Sequence, residues 1–203
     1  FDKENSPDNF YYHLVLLAEN NKGYDNLIKI VSYGFKDGFY YKPRVDIELL
    51  EKYHEGIIAL SACLAGPVAR TIIRQGYDKA KEVALRYNNI FGENNFFLEL
   101  QDHMDGSVDQ QTVNQSLMRM HQETGIPLVA TNDCHYISPE DAEAHDILLC
   151  IQTNTTVDEA DRMRYEGGQY YVKSPEEMYS LFPYAHQACE NTYKIAQRCN
   201  VEF

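Results

Sequence analysis

Gly125-Ile126-Pro127-Leu128-Val129-Ala130-Thr131-Asn132-Asp133-Cys134-His135-Tyr136 opens on glycine and proline, continues as a short apolar run and ends in a polar cluster. A run of this length, bounded in this way, reads as a buried strand that delivers side chains to one end of a sheet. Asp133 and His135 are two apart, so an extended backbone would place both on one face and turn Cys134 away. A carboxylate and an imidazole that converge at a strand's end make half of a metal site, because each offers a lone pair to a divalent cation. The residues alone leave a second reading open, a loop in which Asp133 caps the next helix and His135 fills a hydrogen-bonded corner.

Working outward, three further stretches have the composition of buried strands: residues 9–18, with His13 inside, 57–62 and 96–101. Between them the pattern turns helical. Asn20 or Asn21 caps a helix to Phe35 that places Tyr24, Leu27, Ile28 and Val31 on one face, and Asp46 caps a short one to Tyr53. Pro67 starts a helix that Gly76 breaks, and Gly92 stops another, begun near Asp78, with Ala80, Val83, Ala84 and Tyr87 on one face. A helix over about 108–124 leads into the opening stretch. Ser138-Pro139-Glu140-Asp141 starts one that reaches about Gln152, Ser174-Pro175-Glu176-Glu177 repeats the start signal, and a last helix covers about 185–199. Residues 153–173 read as an irregular passage.

Strands alternating with helices predict an α/β architecture with a largely parallel sheet or barrel, where ligands gather at the strands' carboxyl ends. Cys63, the corner from Gln101 to His103, and Asp133 with His135 all follow such ends. His13 is the exception, since the strand over 9–18 would place it near the entrance or the middle.

Composition bounds the function. A chain of 203 residues with 44% hydrophobic content fills one domain, and it holds neither a membrane-length apolar run nor a signal peptide. Five cysteines with no C-x-x-C pair exclude a disulfide framework and a ribbon-type zinc site, and fit a reducing, cytoplasmic setting. A formal charge of −13 makes the chain a poor grip on nucleic acid unless a local patch, bound cations or attached domains supply the contact. Asp158-Glu159-Ala160-Asp161 spells a helicase box, but no phosphate-binding loop accompanies it, so it reads as a solvated acidic face. His54, His121, His145 and His186 read as surface or packing residues.

Four stretches resemble the polymerase-and-histidinol-phosphatase (PHP) domain: Asp37-Gly38-Phe39-Tyr40-Tyr41-Lys42-Pro43-Arg44-Val45-Asp46, Leu60-Ser61-Ala62-Cys63-Leu64-Ala65-Gly66, Phe97-Leu98-Glu99-Leu100-Gln101-Asp102-His103, and the block from Pro127 to Tyr136. The likeness is to the branch of that family found in bacterial replicative DNA polymerase III alpha subunits, and it runs in order over the whole chain. It implies a distorted (β/α)7 barrel that binds up to three divalent metals at one end and hydrolyses phosphoesters, in some polymerases as a 3′–5′ exonuclease. Carried over, the resemblance makes His13, Cys63, Asp133 and His135 metal ligands. Imidazole, thiolate and carboxylate together suit zinc, manganese or iron better than magnesium. Glu99 and His103 are either residues that orient those ligands or solvent-facing strand ends. Lys42 and Arg44 would contact a phosphate or a neighbouring domain, or belong to an ordinary surface loop.

The family's His-x-His pair is missing, which implies a barrel lacking its N-terminal strands in a piece of a longer polypeptide, expected by itself to hold less than the full metal cluster and to turn over no substrate. Residues 1–152 would be the C-terminal part of the barrel, and 153–203 its end and the connection toward a polymerase palm. DNA, a sliding clamp and a proofreading exonuclease are the partners implied for the parent. Two rival expectations stand beside this one: a non-catalytic PHP scaffold that braces the palm or docks the exonuclease, and a free-standing phosphoesterase of the histidinol-phosphatase type.

Overall fold

The computed structural model describes residues 11–203, so the first two residues of the strand expected over 9–18 lie outside the described residues. The order of elements is β1 (Val15–Ala18), α1 (Asn21–Lys36), α2 (Ile47–Tyr53), β2 (Ile57–Leu60), α3 (Pro67–Gln75), α4 (Tyr77–Phe91), β3 (Phe96–Leu100), α5 (Val108–Thr124), β4 (Leu128–Ala130), α6 (Ala142–Thr153), α7 (Pro175–Leu181) and α8 (His186–Arg198). The four strands form one mixed sheet in the order β1-β2-β3-β4. Strands β2, β3 and β4 are parallel, whereas β1 runs antiparallel to β2, with Val15 opposite Leu60 and Ala18 opposite Ile57.

That antiparallel strand corrects the expected placement of His13. Because β1 is reversed, its amino end lies at the edge where β2, β3 and β4 present their carboxyl ends. His13 precedes β1 instead of lying inside it, and so reaches that shared edge.

Every residue of β2, β3 and β4 is buried, as expected of strands covered on both faces. Alternation divides them. Ile57, Ala59, Phe96, Leu98, Leu100, Leu128 and Ala130 face a large core shared with Val68 and Ile72 of α3, Ala80, Ala84 and Tyr87 of α4, and Val113, Leu117 and Met120 of α5. Ile58, Leu60, Phe97 and Val129 face a smaller cluster closed by Ile195 of α8. Asn191 of α8 donates from Nδ2 to the carbonyl of Leu128 at 2.7 Å, which satisfies a strand group at that face.

Helix α1 begins as expected, with the Asn20 side chain accepting from the Gly23 amide, but it buries a different face. Gly23, Asn26, Ile30 and Gly34 are buried, whereas Ile28 and Val31 are about half exposed at 47% and 50%. Close backbone approach decides this. A Cβ on Gly23 would sit 1.8 Å from the Gly56 carbonyl oxygen, so only the glycine face can meet the turn before β2, where Asn26 also donates to the Glu55 carbonyl at 2.9 Å. Helix α6 is preceded by a short 3-10 turn, Pro139–Asp141, held by the Ser138 capping box.

Candidate functional site

The β2 strand ends in Ser61, Ala62 and Cys63. Ala62 adopts φ 62°, a left-handed conformation that costs an alanine about 1–2 kcal/mol. A Cβ on Gly66 would meet the Ser61 carbonyl oxygen at 2.0 Å, so the turn that carries Cys63 closes only on glycine. Cys63 Sγ lies 3.6 Å from His13 Nδ1, and the His13 amide donates to the Ala65 carbonyl at 3.0 Å. Two residues 50 apart in sequence thus share one contact. Burial pushes the Cys63 thiol pKa up, and the charges of Asp133 and Glu99 push the same way, against a lowering bond from the Ala65 backbone.

Asp133 and His135 do not continue a strand. β4 stops at Ala130 and Asp133 takes φ 45°, so the extended geometry expected for the pair gives way to a loop. A left-handed turn is tolerated by aspartate far better than by most residues. His135 Nδ1 lies 2.6 Å from the Asp133 carbonyl; a carbonyl only accepts, so Nδ1 carries the proton and Nε2 keeps its lone pair. Ser138, not Asp133, caps the helix that follows. The loop is fastened to residues 169–172. Asn132 donates from Nδ2 to the carbonyls of Gln169 and Tyr171 at 2.8 and 2.7 Å, the His135 amide donates to Tyr170 at 2.8 Å, and the Val172 amide donates to Ile137 at 3.2 Å.

Glu99 and His103 are buried, at 5% and 7% exposure, so the solvent-facing reading of them fails. Glu99 lies on the smaller face of β3, where the apolar cluster gives way to polar groups. Its Oε2 accepts from the Ala62 amide at 2.8 Å, and its Oε1 accepts from the Thr131 hydroxyl at 2.5 Å and from Gln101 Nε2 at 3.4 Å. One carboxylate therefore ties the turn before Cys63 to the strand end before Asp133. Burial raises its pKa, partly offset by the bonds from Thr131 and Ala62. His103 Nε2 donates to the Asn132 carbonyl at 3.2 Å, and its ring stacks on Tyr170 at 4.0 Å. Burial lowers its pKa, which favours the neutral imidazole.

Lys42 is exposed and donates to the Tyr11 hydroxyl at 2.8 Å; the Tyr11 ring stacks on His13 at 6.0 Å, so this cation reaches the flank of the rim. Arg44 is half-buried over the Tyr40 ring at 5.0 Å. The fold brings two residues beside His135: His145, which the sequence reads as a surface or packing residue, and Tyr165, to which it gives no role. The Tyr165 ring lies 4.3 Å from the His135 ring, and the His145 ring lies 5.6 Å from it. The signal for His145 was the Ser138-Pro139 helix start, which aims α6 back past the rim. Tyr165 sits in the irregular passage and carries no periodic signal.

Within the described residues, then, His13 contacts Cys63, His135 bonds to the Asp133 backbone, and the Asp133 charge acts on Cys63, Glu99 and His103. No three His, Cys, Asp or Glu side chains among them are arranged to share one ion. No helix among them is long and apolar enough to cross a membrane.

Comparison with known proteins places these residues in a family. The PHP domain model matches residues 2–103. The chain is similar to the DNA polymerase III subunit alpha of Borreliella burgdorferi, 46% identical over 189 residues, which is 93% of this chain and 16% of that protein. It is similar to the same subunit of Treponema pallidum, 44% identical over 94% of this chain and 16% of the relative, and of Thermus aquaticus, 41% identical over 96% and 16%. The chain thus spans about a sixth of the length of the relatives it matches.

Proposed function

The chain belongs to the PHP domain family, and from that premise we propose that it is the metal-binding PHP portion of a bacterial replicative DNA polymerase alpha subunit. The observation that carries the reading is that, at one sheet edge, His13 contacts Cys63, Glu99 bonds the turn before Cys63, and the Asp133 charge acts on both Cys63 and Glu99. The donor chemistry fits zinc, manganese or iron: imidazole, thiol and carboxylate lie at one rim, and His135 holds Nε2 ready as a lone-pair donor. His13, Cys63, Asp133 and His135 would hold the ion. Glu99 and His103 would orient them from beneath, as outer hydrogen-bonding partners do at metal centres. Donors outside the described residues would complete a cluster of up to three cations in a distorted (β/α)7 barrel.

A divalent cation there would supply Lewis acidity and a water of lowered pKa for cleaving a phosphodiester, in the manner of a 3′–5′ exonuclease. This chain's own share is positional. Neutral His103 keeps the Asn132 carbonyl fixed, Glu99 holds the Cys63 turn, and Lys42 or Arg44 would meet a phosphate or a neighbouring domain. Residues 153–203 would close the unit and lead toward the palm. The parent would polymerise DNA elsewhere in its length, in the cytoplasm, beside a sliding clamp and a proofreading exonuclease.

Metal analysis of the intact parent after exhaustive dialysis tests the reading. Retained transition metal in the wild type, lost when Asp133 and His135 are both changed to Ala, supports it; equal content in the two proteins refutes the ligand assignment. A second reading is favoured by one observation, that no three donors among the described residues are arranged for one ion. It makes the unit a scaffold that braces the palm or docks the exonuclease, and it is supported if the wild type retains no metal.

A further inference from the structure

Five aromatic or imidazole rings gather on the flank of the Asp133 loop: His135, Tyr136, His145, Tyr165 and Tyr170. Two of them are committed to the fold. Tyr170 stacks on buried His103, and its backbone is bonded to His135 and Tyr136, whose hydroxyl in turn accepts from the Tyr170 amide at 3.2 Å. The other three are not. His135 spends only Nδ1, and among the described residues neither the His145 nitrogens nor the Tyr165 hydroxyl makes a hydrogen bond.

Tyr165 is the centre of this corner. Its ring is tilted against His135 at 4.3 Å, set edge-on to Tyr170 at 4.7 Å and edge-on to His145 at 5.3 Å. It remains partly exposed, as do His145 and His135. The bonds between the Asp133 loop and residues 169–172 fix this corner beside the rim, so a group that stacks there needs no rearrangement of the loop. Partly exposed rings with uncommitted polar edges, set next to a rim of acidic groups, suit a flat, uncharged, hydrogen-bonding ligand. A nucleobase has that chemistry, and stacking on aromatic side chains accepts every base because each has a π-face.

We propose that Tyr165, flanked by His135 and His145, is the platform on which the 3′-terminal base of a single-stranded nucleic acid stacks, while its last phosphodiester lies at the rim. This rests on the reading of the rim as a phosphodiester site. It adds the residues that would position the strand end: Tyr165 by stacking, and His145 by hydrogen bonding to the base edge or sugar.

The test uses the intact parent protein and a single-stranded oligonucleotide carrying 5-iodouracil at its 3′ terminus, cross-linked by light, with the adduct mapped by peptide mass spectrometry. The expected adduct lies on the peptide containing Tyr165. Tyr165→Phe keeps the yield, Tyr165→Leu lowers it about tenfold, as loss of one stacked base implies, and His145→Ala lowers it less. Adducts found only elsewhere in the protein, or an unchanged yield in Tyr165→Leu, overturn the proposal. Metal content measured on the same samples separates the two levels: metal retained with no adduct at Tyr165 removes the stacking platform and leaves the ligand assignment standing. An adduct at Tyr165 in a protein without metal keeps the platform and removes the metal site.

Discussion

Replacing Glu99 tests how the rim is held together. The Ala62 amide donates to Glu99 Oε2 at 2.8 Å while Ala62 is held at φ 62°. A hydrogen bond to a charged acceptor is worth about 1.5–3 kcal/mol, and the left-handed conformation costs alanine about 1–2 kcal/mol. The bond is thus of the same size as the strain or slightly larger, and without it the turn keeps only the bonds of its flanking residues, such as Gly66 to Cys63 and Ser61 to Phe97. Glu99→Ala also strands the Thr131 hydroxyl proton, while the Gln101 amide keeps its bond to Thr131 Oγ1 at 3.1 Å. Amide hydrogen exchange, read by mass spectrometry on the peptide spanning residues 57–66 in the intact protein, isolates this turn from global stability. Glu99→Ala should accelerate exchange there by roughly tenfold or more. Glu99→Gln keeps an acceptor for Ala62, although it turns the bond accepted from Thr131 into a donated one, and should leave exchange at the Ala62 turn close to wild type. Adding Ala62→Gly to Glu99→Ala removes the steric strain and should recover part of the protection. Unchanged exchange in Glu99→Ala would refute the idea that this carboxylate holds the Cys63 turn.

Gly23→Ala should destabilise the α1 contact by about 3 kcal/mol or more, because its Cβ meets the Gly56 backbone at 1.8 Å and neither backbone can yield cheaply; urea unfolding monitored on the peptides of α1 and of residues 54–58 checks this. Burial raises the Glu99 pKa, so the folded state binds a proton more tightly than the unfolded chain. Its contribution is therefore fully present below the usual glutamate range and lost as pH rises through the folded value, and Glu99→Gln should flatten that decline in stability-versus-pH measurements. Glu123 behaves in the opposite sense. Lys81, Arg119 and Tyr77 hold its pKa at about 2, so its contribution is lost as pH falls toward that value, and Lys81→Ala should raise the pKa read by NMR titration.

Much of the architecture was legible because its signals are local. The Asp46 cap of α2, Pro67 at the start of α3, Gly92 after α4 and the Ser174 capping box of α7 each satisfy backbone groups within a few residues, so sequence alone locates them. The face of α1 was not legible. Its apolar positions recur at helical spacing, yet the contact was chosen by Gly23 and Gly34, whose value lies in what they leave out. The direction of β1 was hidden for a similar reason. A four-residue apolar strand reads the same whether it pairs parallel or antiparallel, and only the register against β2 brings His13 to the rim. The extended geometry read for Asp133 and His135 fails because one left-handed residue ends the alternation on which it rests. His145 and Tyr165 approach the rim through a passage with no period, where position depends on tertiary bonds such as those of Asn132.

The electrostatics of the rim constrain what it can bind. Burial is the largest cause of the raised pKa of Cys63, Glu99, Tyr165 and Tyr170 and of the lowered pKa of His103, and the Asp133 charge adds a smaller upward push to all five. The same negative field thus reaches a thiol, a carboxyl, an imidazole and two phenols, within a chain of formal charge −13. A phosphodiester entering such a field carries like charge and is repelled; Lys42 and Arg44 lie over the rings of Tyr11 and Tyr40, and Lys173, whose charge acts on His103, lies over Tyr171. A base meets no such penalty and can stack on Tyr165. The strand end should therefore engage the corner weakly through its base alone and tightly only when added divalent cations offset the Asp133 field at its phosphate. Photo-cross-linking yield at Tyr165 should then rise with added manganese and fall with a chelator, and Asp133→Asn should weaken that dependence. A yield indifferent to manganese in both proteins would mean that the phosphate never approaches Asp133, and that the platform serves a ligand whose backbone runs away from the rim.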